Sequence, residues 1–153
     1  MSLIDVYDRA IMDYHIGLAY EGKHAAQILQ RSLWKRQQFD YEDRPVIPTD
    51  NGPQFTSHAF EGACQRFRTI HERIPPKPPD KNAHIESYHS VLEKECLQRN
   101  EYENYQEAYE NVTIYLLLYN QHRIHGSLYD LSPVEFFGKA FSLQRVKPFV
   151  IKV

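Results

Sequence analysis

The sequence contains little that would indicate a secreted or membrane-bound protein. Only two cysteines occur in 153 residues, Cys64 and Cys96, which is too few for a disulfide framework, and their spacing matches no zinc motif. No apolar run approaches the roughly 20 residues that span a bilayer, and the N-terminus lacks the order of a signal peptide. We therefore expect a cytoplasmic protein without membrane contact, in which both cysteines are small core residues.

An excess of positive charge is also lacking. Eighteen basic residues face 20 acidic ones, for a formal net charge of −2. An autonomous nucleic-acid binder is usually strongly basic, so any contact with nucleic acid must be local or be supplied by another segment. An apolar content of 42% in 153 residues is enough for one ordinary core, which predicts a single domain.

Two acidic residues are the most informative feature that is present. Asp50 closes a short apolar run, and Glu86 opens an amphipathic stretch, with 35 residues between them. Carboxylates at a strand end and on a following helix can converge on one Mg²⁺ ion, which prefers oxygen ligands and keeps positions open for phosphate. This predicts phosphodiester chemistry. Each acid also has a simpler interpretation, because Asn51-Gly52 is a turn signal and glutamate favours a helix start.

The hydrophobic periodicity predicts alternating strands and helices, which indicates α/β architecture. A proline-rich loop, 75–80, interrupts the pattern beside the predicted site. We expect residues 1–140 to form one body and residues 141–153 an extended tail whose Val146, Phe149 and Ile151 could dock on a neighbour. The predicted elements of the first half are a strand, turn and strand over 3–16, a helix over 22–39, a strand from Pro45 that ends at Asp50, and a helix capped by Thr56 or Ser57. Those of the second half are a strand over 69–74, a helix from Asn82, a helix over 105–121, and a short helix from Ser132-Pro133.

Several longer motifs carry a family resemblance. They are Ile47-Pro-Thr-Asp50-Asn-Gly-Pro-Gln-Phe55, then Pro79-Asp-Lys-Asn-Ala-His-Ile-Glu86-Ser87, then Tyr119-Asn-Gln-His-Arg-Ile-His125. In this order and with the 35-residue gap, the chain resembles the DDE-type integrase catalytic core of bacterial insertion-sequence transposases. The resemblance implies an RNase H-like mixed sheet flanked by helices. It also implies that 1–140 is a truncated core whose first strand is missing from this chain.

The family resemblance also implies a chemistry and a set of residues. Asp50 and Glu86 would be the second and third acids of a catalytic triad that binds Mg²⁺ or Mn²⁺ and performs DNA cleavage and strand transfer. The expected partners are transposon ends, target DNA and a second copy in a homodimer. The residues expected to contact DNA are Asn51, Gln54, Lys77, Lys81 and Lys94, although surface charge is an equally good explanation for Lys77 and Lys81.

The chain departs from the family pattern at two places. The family's first acid precedes the segment that matches 3–5, and Asp5 matches a position that is not a metal ligand. Glu93 stands two helical turns beyond Glu86, where the family has a basic residue, and Lys94 lies about 80° from the Glu86 direction on an ideal helix. We therefore expect this chain alone to be inactive, and its function to belong to the intact parent protein.

Three alternatives remain open at this point. The chain could be a catalytically inactive interaction module or transposon relic that dimerises through its tyrosine-rich helix. It could also be a nuclease of the same fold that cuts without joining. A histidine metal site is a weaker hypothesis, because His84 and His89 diverge on a helix and His122 and His125 suit packing at a helix end.

Overall fold

The computed structural model describes residues 1–37, 44–75, 83–142 and 151–152. Within these ranges the strands are β1 (Ser2–Asp5), β2 (Ile11–Tyr14), β3 (Val46–Thr49), β4 (Ile70–Arg73) and β5 (Ile151–Lys152). The α-helices are α1 (Gly22–Arg36), α2 (His58–Arg66), α3 (Ala83–Leu92), α4 (Tyr105–His122) and α5 (Pro133–Ser142). A π-helical turn, Glu93–Leu97, continues α3, and a 3₁₀ turn, Gly126–Leu128, follows α4.

The strands form two small sheets that meet at β5. In the first, β1 pairs antiparallel with β2 on one side and with β5 on the other. In the second, β3 pairs parallel with β4. Strand β5 also lies beside β3, so the end of the chain connects the two sheets. Part of the predicted tail is therefore a strand packed within its own chain.

Two hydrophobic cores cover the opposite faces of β1, because successive side chains of a strand point to opposite sides. Leu3 belongs to the core under α1 and α2, and Ile4 belongs to the core under α3 and α4. Cys64 lies in the first core and Cys96 in the second, both buried and with free thiols, which confirms their predicted role. The result is a three-layer arrangement of helices, strands and helices.

Most predicted elements are present, and their ends have local causes. Helix α1 ends at Arg36, short of the predicted Phe39, because Gln37 adopts a left-handed conformation (φ 54°). Ser57 caps α2 by accepting a hydrogen bond from the Phe60 amide (3.2 Å). Ser132 and Glu135 form the capping box predicted for α5.

The π-helical turn changes the geometry expected beyond Glu86. The Gln98 amide donates to the Glu93 carbonyl (2.8 Å), a bond spanning five residues instead of the four of an α-helix. The rotation per residue assumed for an ideal helix therefore applies only as far as Leu92. Glu93 and Lys94 are both exposed at the start of this wider turn.

Within the described residues, no helix is long and apolar enough to cross a membrane.

Candidate active site

Asp50 lies directly after β3, at the carboxyl end of the parallel strand pair. Its side chain is exposed, and its Oδ1 accepts a hydrogen bond from the Gly52 amide (2.7 Å). The Asn51 side chain donates to the Ile74 carbonyl (3.3 Å), just past β4. The two bonds tie the acidic turn to the ends of both parallel strands, so the carboxylate projects from a fixed backbone.

The turn continues directly into α2, and Gly52 allows a close approach within it. A Cβ atom at Gly52 would lie 2.5 Å from Gln54 Nε2 and 2.9 Å from Asp50 Oδ1. The Gln54 amide therefore packs against the same turn as the Asp50 carboxylate. The Ser57 hydroxyl donates to the Gln54 carbonyl (2.8 Å), which links the turn to the cap of α2.

Glu86 occupies the first turn of α3, where the helix dipole favours a negative charge. Its neighbours Ile85 and Tyr88 are buried in the core with Ile4 of β1 and hold the helix against the sheet. Glu86 itself is exposed. The structure thus presents both predicted acids to solvent, each next to a well-packed element.

The carboxylates of Asp50 and Glu86 are the type of ligand that a divalent cation binds, and they would supply part of its coordination shell. Carboxylate oxygens are the donors that Mg²⁺ and Mn²⁺ prefer. No group of three or more His, Cys, Asp or Glu side chains that could hold a metal occurs among the described residues. That Asp50 and Glu86 bind a metal stays a prediction.

The other acids near the sheet are engaged elsewhere. Asp5 and Asp8 are completely buried, and the guanidinium of Arg36 from α1 contacts both carboxylates. Burial raises the pKa of Asp5 to about 7, with the Asp8 charge as a second cause, and burial also raises the pKa of Asp8. These groups form a buried ion cluster at the β1–β2 turn.

The residues predicted to contact DNA have different surroundings. Asn51 and Gln54 flank Asp50 in the turn, and Lys94 is exposed beyond the far end of α3. Lys77 and Lys81 lie outside the described residues. The contact of each with DNA remains a prediction.

A second concave surface, which the sequence did not suggest, lies between α3, the β1–β2 turn and the segment after α4. Its volume is about 360 Å³, and Arg9, Arg123 and His125 line it together with His84 and Ser87 of α3. The motif Tyr119-Asn-Gln-His-Arg-Ile-His125 drew attention to two of these residues, whereas nothing in the sequence connected Arg9 with them.

Comparisons with known proteins show which proteins this chain resembles. A family model described as an integrase core domain matches residues 68–133, a stretch that contains Glu86. The chain is 29% identical over 136 residues to the 39.2 kDa protein of insertion element IS476 from Xanthomonas euvesicatoria. It is 22% identical over 139 residues to the putative transposase InsK for insertion sequence element IS150 from Escherichia coli. The chain is thus similar to an integrase core domain over residues 68–133 and to insertion-element proteins over most of its length.

The chain corresponds to part of these relatives. The alignments cover 89% of the chain and 38% of the IS476 protein, and 91% of the chain and 48% of InsK. The chain thus spans less than half of the length of either relative.

A solved structure shows the same architecture. The catalytic core domain of BIV integrase superimposes with a TM-score of 0.66 at 16% identity, covering 95% of this chain and 88% of that one. This match confirms the RNase H-like fold predicted from the sequence.

Proposed function

We propose that this integrase core serves a DNA transposase, with Asp50 and Glu86 as ligands of a divalent metal ion at the site of cleavage and strand transfer. The observation that supports the proposal best is the placement of the two acids. Asp50 projects from the carboxyl end of β3 and Glu86 from the first turn of α3, both exposed, in a fold shared with a retroviral integrase catalytic core.

Each residue of the site has a definable task in this proposal. A bound Mg²⁺ or Mn²⁺ ion would polarise a phosphoryl oxygen and activate a nucleophilic water or hydroxyl. The Gly52 amide orients the Asp50 carboxylate through Oδ1, and the bond from Asn51 to the Ile74 carbonyl holds the turn in place. The amides of Asn51 and Gln54 are neutral groups that can approach a phosphodiester without repelling it.

Metal binding tests the assignment of the two acids. We expect the 153-residue chain to bind Mn²⁺ weakly, as measured by electron paramagnetic resonance of the free ion. Asp50→Asn or Glu86→Gln should weaken this binding by at least about tenfold, because each substitution removes a charged oxygen ligand. Asp130→Asn and Glu101→Gln, which change exposed acids elsewhere, are the matched controls. Equal Mn²⁺ binding by the Asp50→Asn variant and the unchanged chain would refute the assignment and favour an inactive interaction module.

A cleavage assay on the same proteins tests the completeness of the site. We expect no Mg²⁺-dependent cleavage of duplex DNA ends by this chain alone, because two carboxylates leave too few ligands to hold two metal ions. Robust cleavage that disappears in Glu86→Gln would contradict this expectation. In that case, strand-transfer products would distinguish a transposase from a nuclease of the same fold.

We also propose that the integrase core forms a homodimer through one face of α4. Ile114, Leu117 and Leu118 lie three and four positions apart on this helix and are 57%, 56% and 49% exposed. An apolar stripe of this kind on a surface helix is typical of an interface.

Sedimentation equilibrium tests this proposal. We expect a concentration-dependent dimer that Leu117→Lys weakens at least about tenfold, because a lysine in the apolar contact would have to be desolvated. Leu18→Lys is the control, since Leu18 is 102% exposed and lies outside α4. A dimer that Leu117→Lys leaves intact, or a monomer at all concentrations, would exclude this face as the interface.

A further inference from the structure

The surface between α3, the β1–β2 turn and the segment after α4 has the properties of an anion site. We call it the basic cleft, lined by Arg9, His84, Ser87, Arg123 and His125 among others. Two arginines, two histidines and two serines contribute to it, and its lining includes no acidic side chain among the described residues. The cleft therefore gathers basic side chains in a protein whose overall charge is slightly negative.

Two nitrogen atoms of the basic cleft are buried without a hydrogen-bond acceptor among the described residues. They are Nη1 of Arg9 and Nε2 of His125. A buried donor that lacks an acceptor costs about 1–3 kcal/mol, and more when it carries a charge. An anionic oxygen in the cleft would satisfy Arg9 Nη1 directly, and would satisfy His125 when the proton is on Nε2.

The backbone holds Arg9 in place at a conformational cost. Arg9 has a φ of 63°, in the left-handed region that is uncommon for residues other than glycine. Its amide donates to the Asp5 carbonyl (2.8 Å), which closes the β1–β2 turn. The nearby carboxylates of Asp5 and Asp8 are engaged with Arg36, so they compensate the Arg9 charge only in part.

Arg123 and His125 are held at defined positions around the opening. Arg123 donates through Nη1 to Oε2 of Glu95 (2.6 Å), and its guanidinium lies 5.6 Å from the centre of the Tyr119 ring. The His125 ring packs edge-to-face on the same Tyr119 ring at 5.4 Å. Tyr119 is itself buried, and its ring forms the surface against which both side chains pack.

The basic cleft shares helix α3 with the candidate active site but does not include Glu86. His84, Ser87 and Val91 form one stripe of α3 that faces the cleft. Glu86 is 200° around an ideal helix from His84 and 100° from Ser87, so it belongs to a different face. One helix thus carries a candidate metal ligand on one side and the wall of an anion site on the other.

We propose that the basic cleft binds a phosphate group, with Arg9 and His125 as its inner donors and Arg123 at its rim. The arginine forks match the geometry of phosphate oxygens, and neutral hydroxyl donors such as Ser87 add hydrogen bonds. The group can come from the backbone of a nucleic acid or from free phosphate. The proposal goes beyond the metal-dependent reaction and holds whether or not Asp50 and Glu86 bind a metal.

Nuclear magnetic resonance of the complete 153-residue chain can test this site. Inorganic phosphate is added in place of chloride at constant ionic strength. We expect it to cause saturable shifts of the Arg9 and His125 side-chain signals. Bound anion also favours the charged imidazolium, so the pKa of His125, which burial lowers in the free protein, should rise. Arg9→Gln and, separately, His125→Gln should each weaken binding at least about tenfold.

Arg68→Gln provides a closely matched control. Arg68 is an exposed arginine that also has a left-handed backbone (φ 53°), and it is not part of the basic cleft. We expect this variant to bind phosphate like the unchanged chain. Asp50→Asn should do the same, which separates this proposal from that of the metal site.

A second titration with a short oligothymidylate, with and without a 5′-phosphate, identifies the source of the phosphate. Binding of the unphosphorylated oligonucleotide that requires Arg9 supports a nucleic-acid backbone. Binding of inorganic phosphate alone, again requiring Arg9, supports free phosphate. The absence of saturable binding of either probe, or equal binding by the unchanged chain and both the Arg9→Gln and His125→Gln variants, would overturn the proposal.

Discussion

Arg36→Met is expected to lower the free energy of unfolding by about 3–5 kcal/mol, the largest effect we predict for a single substitution in this chain. The Arg36 side chain is only 7% exposed, and the two carboxylates that it contacts, Asp5 and Asp8, are completely buried. Methionine fills a similar volume but carries no charge. The substitution would therefore leave two carboxylates buried with their main cation removed.

The position of Arg36 explains why its loss should affect the whole fold. It lies at the end of α1 and reaches the β1–β2 turn, where Asp5 and Asp8 also accept backbone hydrogen bonds from Tyr7 (2.9 Å) and Ala10 (3.0 Å). Its guanidinium lies 4.1 Å from the centre of the Phe137 ring of α5. One side chain thus joins a helix, a hairpin turn and the C-terminal helix.

Urea unfolding of Arg36→Met and Arg31→Met measures the difference directly. Arg31 is on the same helix and pairs with Asp13 of β2 (2.6 Å), but it is 50% exposed. Solvent screens the exposed Arg31 guanidinium, and Lys35 also pairs with Asp13 (3.3 Å), so Arg31→Met should cost only about 1 kcal/mol. Similar losses in the two variants would show that burial does not set the contribution of Arg36.

The same buried cluster should make the stability depend on pH in an unusual direction. A carboxyl group whose pKa rises from 3.8 in the unfolded chain to about 7 in the fold retains its proton longer when folded. The folded state then binds more protons than the unfolded state between these values, so stability falls as pH rises through that window. The contribution of Asp5 is present in full below pH 3.8 and is lost as pH passes 7.

Other groups act in the opposite direction, so the effect has to be measured as a difference. Burial lowers the pKa of His15, His71, His89 and His125, and the unfolded chain therefore binds more protons at these sites as the pH falls below about 6.5. Their contribution to stability decreases on acidification. A comparison with Asp5→Asn cancels these shared terms.

The unchanged chain and Asp5→Asn are to be compared by urea unfolding at several values between pH 4 and pH 7.5. We expect the unchanged chain to lose about 2–4 kcal/mol relative to the variant across this range, since one pKa unit corresponds to about 1.4 kcal/mol. Asparagine can still accept the Tyr7 amide bond at Oδ1, so the turn itself should persist. Parallel stability curves would show that Asp5 does not titrate in this window.

Local patterns in the sequence were sufficient to predict most of the secondary structure. Alternation predicted β2, and helical spacing after Thr56 or Ser57 predicted α2, because both signals depend on residues only a few positions apart. The alternation in 69–74 was less reliable. Ile74 is buried as expected, but Ile70, at the start of β4, is 49% exposed.

The features that sequence patterns could not show depend on contacts between distant residues. The role of Asp5 became apparent only from its contact with Arg36, and the basic cleft only from the approach of Arg9 to Arg123 and His125. The π-helical turn after Leu92 also escaped prediction, since no local signal distinguishes it from continued α-helix. The candidate acids were found because their neighbours form recognisable motifs, whereas the arrangement of ligands around them is a property of the fold.

The pairing of β5 with β1 has a consequence for the order of folding. Ile4 pairs with Lys152 and Asp5 with Ile151, so this short ladder joins positions at nearly opposite ends of the sequence. Closing so long a loop carries an entropic cost before the ladder can form, whereas the β1–β2 hairpin closes over a few residues. We infer that the hairpin and its helices assemble first, and that β5 joins last, as the step that connects the two sheets into one unit.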